Sequence, residues 1–248
     1  MNLRSKSVLE AAIKEYIKYG KPATSKALAK QYNFGVKDAT VRNELNTLTK
    51  EGFLEQQHTS GGRVPTDKGY QFFVANTLDN VVDSRKILNE RQGALIGNLR
   101  TGHLKEFVDE FSEETKLLGI GGKLRHPKSV GVPTEASGKQ ITIYKSGLDE
   151  LFGQLDVQTK KDFYEIVRDF ESLDERLADL SKKISRSLSP QVFIGKKSPI
   201  THSENLSVIL DWYNIHGQKM IVAVIGPKRM DYGKNLKLFK LLHEHANK

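Results

Sequence analysis

Lys37, Thr40, Arg42, Asn43 and Thr47 lie close together in the chain, and Arg63 follows in the string S-G-G-R-V-P at 60–65. These side chains suit nucleic acid. Arginine and lysine donate to guanine or phosphate, and asparagine pairs with adenine. Small residues around Arg63 let a backbone approach phosphates closely. The same residues would also serve as an ordinary solvated helix face and a soluble hairpin; their order along the chain favours nucleic acid. Other chemistry fails on spacing. In G-I-G-G-K at 119–123, a phosphate loop would need its first glycine where Leu117 stands, and Ser or Thr where Leu124 stands. That string therefore reads as a flexible linker. His243 and His245 are two apart on a predicted helix and face different sides. They read as exposed helix-end histidines, favourable against the helix dipole, rather than metal ligands. No Ser/His/Asp or paired-carboxylate set assembles, so no catalytic residue, cofactor or metal is assigned, and the expectation is a protein that is not an enzyme.

The elements that must position these residues are readable from periodicity. Val8, Leu9, Ala12, Ile13, Tyr16 and Ile17 form a helical stripe over 5–19, closed by Gly20 and stopped by Pro22. Thr24 or Ser25 caps a second helix over about 25–32. A third runs from about 38 to 51, with Val41, Leu45 and Leu48 inward and the nucleic-acid candidates outward near its N-terminus, the portion from which recognition helices read bases. Phe53–His58 can extend as a strand, and Gly61 and Gly62 permit a hairpin tip. Arg63 begins the return strand at that flexible tip, where it would grip the backbone. Pro65 ends the strand. Thr66 caps a fourth helix, about 67–80. Helix, helix, helix, strand, wing, strand, helix is a winged helix-turn-helix order.

The 248 residues carry a formal net charge of +9, spread unevenly. Residues 1–82 are net +4, residues 83–180 net −3 and residues 181–248 net +8. Basic flanks favour polyanions without conferring sequence specificity. Cysteine is absent, which excludes disulfides and thiolate sites and makes a cytoplasmic address the default. No apolar run approaches the roughly 20 residues of a membrane span, and the N-terminus lacks a signal-peptide core.

The rest of the chain reads as follows. Residues 83–118 form two helices interrupted near Gly97–Gly102, a helical linker or dimerisation segment. Residues 119–147 are a loop or boundary holding one short strand, 140–144. Residues 160–188 form a helix with near-heptad apolar spacing. Strands follow at 192–194, 206–213 and 220–225, with His216-Gly217 in a hairpin turn, then a helix over 233–245. The fold class is α+β, divided into 1–82, 83–118 and 119–248. I-G-P-K-R-M-D-Y at 225–232 reads physically as a strand-to-helix corner.

G-K-P-A-T-S-K-A-L-A at 20–29, A-T-V-R-N-E-L at 39–45, H-T-S-G-G-R-V-P-T-D-K-G-Y at 58–70 and the string at 225–232 resemble the HrcA family of bacterial heat-inducible transcription repressors. The resemblance implies a dimer that binds an inverted-repeat operator in double-stranded DNA upstream of chaperone operons. It also implies support by the GroEL chaperonin, a GAF-like second domain, and DNA contacts at Lys37, Thr40, Arg42, Asn43, Thr47 and Arg63. It further implies an inserted dimerising domain. The stretch between Leu118 and Pro190 looks too short for that insert plus a full GAF-like sheet, so the expected second domain is a reduced one. A metabolite-sensing regulator remains the alternative.

Overall fold

The computed structural model describes residues 1–57, 61–80, 88–124, 141–155, 157, 159–182 and 190–246. The chain divides into two units, one of residues 1–80 with 229–232, the other of residues 81–228 with 233–248.

The first unit holds helices α1 (Leu3–Tyr19), α2 (Ser25–Gln31) and α3 (Asp38–Lys50), strands β1 (Leu54–Glu55) and β2 (Val64–Pro65), and helix α4 (Asp67–Asn80). Asn2 caps α1 through the Ser5 amide, and Gly20 closes it in the left-handed region at φ 65. Thr24 caps α2 through Ala27. The apolar stripes meet as the periodicity requires: Val8, Leu9, Ile13, Leu28, Val41, Leu45 and Leu48 are all fully buried. Each such side chain contributes roughly 1.5–3 kcal/mol on leaving water. Tyr232, at the end of the 225–232 string, is buried in this unit, its ring 5.8 Å from that of Tyr70.

The second unit is mixed α+β around a five-stranded antiparallel sheet. Its strands are β3 (Leu118–Leu124), β4 (Ile141–Ser146), β5 (Gln191–Ile194), β6 (Leu206–Ile215) and β7 (Gln218–Pro227), in spatial order β4-β3-β7-β6-β5. Its helices are α5 (Glu90–Thr101), α6 (Leu104–Thr115), α7 (Leu148–Gln154), α8 (Lys160–Glu171), α9 (Leu173–Lys182) and, from Gly233 onward, α10 (Tyr232–Ala246). The β6–β7 hairpin turns at His216 and Gly217, both at positive φ (50 and 79), the turn that matches strand twist. Among the described residues, no helix is long and apolar enough to cross a membrane.

Three expectations need correction. The G-I-G-G-K string is no linker: it is strand β3, paired to β7 on one side and β4 on the other. With β4 it supplies two of the five strands. The glycines are there for space. A Cβ on Gly121 would sit 2.6 Å from Val108 Cγ2 and 2.9 Å from Leu104 Cδ1 of α6, and one on Gly122 would sit 2.6 Å from Ile221 Cγ2 on the other face. Secondly, the segment 83–118 lies inside the second unit, with α6 packed on β3; residues 83–87 fall outside the described residues. Thirdly, the helix expected over 160–188 breaks at Ser172 into α8 and α9, and its end at 183–188 lies outside the described residues. The break lets buried Asp169 pair with Arg176 at 2.6 Å while accepting from the His202 and Ser203 amides at 2.8–2.9 Å.

Gly121→Ala is expected to destabilise the second unit by about 1–3 kcal/mol, because Val108 has no slack to yield. A thermal melt several degrees below wild type checks it.

Candidate nucleic-acid interface

The site is built on α3. Its inner stripe is clamped on α1 and α2, and the Glu44 carboxylate accepts from Ser5 Oγ at 2.6 Å. The axial rotation of the helix is thereby set. Lys37, Arg42, Asn43, Asn46, Thr47 and Lys50 are exposed, and Thr40 is half-buried. Lys37 is the N-cap residue and makes no side-chain cap bond, while its carbonyl accepts from the Thr40 amide at 2.9 Å. Thr47 donates its hydroxyl to the Asn43 carbonyl at 3.1 Å, which leaves its oxygen lone pairs as acceptors.

Arg63 stands elsewhere than expected. It is not on a free tip. Its backbone forms an antiparallel bridge with Ala23, in the connection between α1 and α2, through two N–H···O bonds of 2.8 Å. Its side chain is half-buried, and Nη2 donates to Asn46 Oδ1 at 2.5 Å. Gly62 explains the approach: a Cβ there would lie 2.6 Å from the Ala23 oxygen and 2.7 Å from the Pro22 carbonyl carbon. The glycine read as a hinge is instead a close-contact position. Residues 58–60, including Ser60, lie outside the described residues.

The return strand is further tied down at its base. Thr66 Oγ1 donates to the Gly52 carbonyl at 2.7 Å, and Lys68 Nζ donates to the Glu51 carbonyl at 2.7 Å while sitting 4.3 Å from the Phe53 ring centre. Pro65, expected to end the strand, is its last rung, opposite Leu54.

The five α3 candidates are thus brought to one exposed helix, with Arg63 beside them through Asn46. Asn46 is the residue that the sequence reading missed. Its spacing of three from Asn43 places both on neighbouring turns of one face, and that was the available signal.

With this geometry in view, the comparisons are specific. The pattern that defines the HrcA protein C terminal domain matches residues 73–235, well over half the chain. The chain belongs to the HrcA family. It is similar to proteins named heat-inducible transcription repressor HrcA. One, from Clostridium perfringens, is 39% identical over 115 residues, covering 46% of this chain and 32% of that protein. Another, from Thermodesulfovibrio yellowstonii, is 25% identical over 327 aligned positions, covering 95% of this chain and 94% of that protein. Matches such as the first span only about a third of the relative's own length. The second alignment has more positions than this chain has residues, so part of that HrcA protein has no counterpart here. A solved structure titled as that of a hypothetical protein shares the fold, with a TM-score of 0.74, 15% identity, and coverage of 100% of this chain and 98% of its own.

The histidines read as exposed helix-end groups also need correction. His243 Nδ1 lies 3.0 Å from the Oδ2 of Asp211, a fully buried carboxyl on β6. His245 Nδ1 lies 3.0 Å from the Leu241 carbonyl. Burial pushes the Asp211 carboxyl above the ordinary carboxylate value, while the Trp212 amide and His243 pull it back down. The folded chain therefore holds that proton more tightly than the unfolded chain, and this group's contribution to stability falls as pH rises through the carboxylate range. Asp211→Asn removes the titration. Its melting temperature relative to wild type should rise with pH from the acid limit to neutrality, as measured by melts at a series of pH values.

Gly62→Ala tests the close contact directly. It is expected to cost about 1–3 kcal/mol through overpacking and to speed amide hydrogen exchange at Ala23 and Arg63, which loss of the bridge would expose.

Proposed function

We propose that this chain is a sequence-specific negative regulator of heat-shock gene transcription that binds DNA through α3. The observation that carries the reading is the exposed polar row of α3, set on a helix whose opposite face is wholly buried. Membership of a family whose relatives are named heat-inducible transcription repressors supports it. On this reading the order α1-α2-α3-β1-β2-α4 is a winged helix-turn-helix, and the sheet unit is a GAF-like domain. Lys37, Thr40, Arg42, Asn43 and Thr47 meet the DNA, with Arg63 alongside. An inverted-repeat operator presents half-sites about 34–36 Å apart and needs two copies of α3 related by a two-fold axis. The acting species is therefore a homodimer. Dependence on the GroEL chaperonin belongs to the same proposal, and so does a cytoplasmic address.

A regulator that senses a small molecule through its second unit is the other reading. The cavity of about 220 Å³ between α5 and α6 is lined by Arg91, Glu110, Glu113 and Glu114 beside Ala94 and Leu95. That charged lining is unlike the largely apolar walls of a metabolite pocket, so this cavity does not favour the sensing reading.

Binding measured at several salt concentrations tests the proposal. Wild type should prefer an inverted repeat over scrambled duplex. Arg42→Ala should weaken binding evenly across sequences and lower the salt slope by about one, whereas Asn43→Ala should also relax base choice. Equal affinity for repeat and scrambled duplexes at every salt concentration would sink it.

A further inference from the structure

Helix α8 carries an organised outer face. Lys160, Phe163, Tyr164, Val167, Arg168 and Glu171 follow the i, i+3, i+4, i+7, i+8 spacing of one helical stripe. Ile166 and Asp169 on the opposite side are buried, whereas this stripe is exposed apart from half-buried Val167. Phe163 is 45% exposed and Tyr164 63%. The stripe continues onto α7: the Phe163 ring lies 6.3 Å from that of Phe152, and Leu148, one turn before Phe152, is 47% exposed. Four of the seven exposed large apolar side chains among the described residues thus fall between 148 and 164. Such clustering marks a contact surface, whereas apolar residues exposed singly need no explanation. The other charges of α8 are engaged within the unit. Lys161 pairs with Glu165 at 3.9 Å, Asp162 accepts from the Thr159 hydroxyl at 2.8 Å, and Asp169 holds Arg176.

We propose that this face is an interface between two copies of the chain, joined by an antiparallel α8–α8 pair across a two-fold axis. It rests on the homodimer of the repressor reading above and names the surface that forms it. The argument for a second copy is self-complementarity. An axis centred between residues 165 and 166 sets Lys160 against Glu171 of the second copy and Tyr164 against Val167. The Arg168 guanidinium then stands beside the Tyr164 ring of the other copy, a favourable cation–π contact. A parallel pair would instead set Lys160 on Lys160, Arg168 on Arg168 and Glu171 on Glu171, and like charges repel. An anionic surface would gain Lys160 and Arg168 but meet Glu171 as well. The 12 residues of α8 run about 18 Å. The contact is therefore smaller than the roughly 800 Å² per partner of a standard interface, and the dimer is a weak one. A duplex with two half-sites ties the copies a second time and tightens the pair.

Sedimentation of the full chain without DNA should show a monomer–dimer equilibrium between about 1 and 100 µM. Tyr164→Ser should raise the dimer Kd about tenfold or more. Lys160→Glu and Glu171→Lys should each raise it about threefold or more, and the two together should restore it, because the facing pair is exchanged rather than lost. All three side chains are exposed, so the fold is not at risk. The chain has no cysteine, so introduced thiols report the register cleanly. Chains carrying Lys160→Cys mixed with chains carrying Glu171→Cys should be joined by a short bis-maleimide at least about fivefold faster than either alone, since two copies of residue 160 sit about 16 Å apart along the helices. The proposal is overturned if wild type stays monomeric at about 100 µM, or if Tyr164→Ser dimerises like wild type. It is also overturned if the double reversal is no tighter than the single ones, or if mixing does not speed crosslinking. A monomer that binds phosphatidylglycerol vesicles through Tyr164 overturns it in favour of a membrane surface. A chain that dimerises through α8 yet binds scrambled duplex as well as an inverted repeat defeats the repressor reading alone; one that prefers the repeat while failing these tests defeats this inference alone.

Discussion

The close approach of the Gly62–Arg63 backbone to Pro22 and Ala23 is the constraint on which the exposed polar face of α3 depends. Two backbone hydrogen bonds are modest in net energy, about 0.5–1.5 kcal/mol each. Their weight lies in what they connect. One partner precedes α2, which together with α1 sets the seat of α3; the other leads into β2 and α4. A side chain at 62 would force the two segments apart and carry Arg63 away from Asn46. The helix that presents the polar row and the strand that steadies it are in this way one rigid piece. On the proposed repressor reading, that suits a surface which must match the spacing of base edges, since rigid supports hold contact geometry better than free loops.

The second unit uses glycine for the same physical purpose at larger scale. Gly119 and Gly121 let α6 lie directly on β3, and Gly122 makes room for Ile221 and Ile141 on the other face. Buried polar groups then pin the connections that the sheet leaves open. Asp169 holds the 200–203 segment to the α8–α9 corner, and Asp211 holds α10 to β6 through His243. Such groups are costly to bury unpaired, and here each carboxylate receives several donors.

Much of this was legible in the sequence. The 3.6-residue stripes of α1 and α3, the Thr66 start of α4 and the β6–β7 hairpin all carry local signals that tertiary packing did not override. Strand β3 was not legible. A run of glycines has no hydrophobic pattern, and the reason for them, a helix lying against the strand, is visible only in three dimensions. The same holds for Arg63, because the tie to Ala23 and the bond to Asn46 cross 40 and 17 positions of chain. A glycine pair beside an arginine reads alike as a hinge or as a tight contact until the neighbour is known. Asp211 and His243 are 32 residues apart, and neither has a neighbour in sequence that betrays the pair. Local chemistry thus marked the exposed polar face of α3, whereas the groups that lock that face in place were set by contacts distant in the chain.

Amide hydrogen exchange of the full chain, with and without a duplex selected from random sequence by the protein itself, shows whether α3 and the strand after it meet DNA. Slowed exchange is expected in Lys37 and residues 38–47 of α3 and in 61–65, with the strands of the five-stranded sheet unchanged. Protection confined to the sheet unit, with α3 exchanging as it does in the absence of DNA, would contradict it.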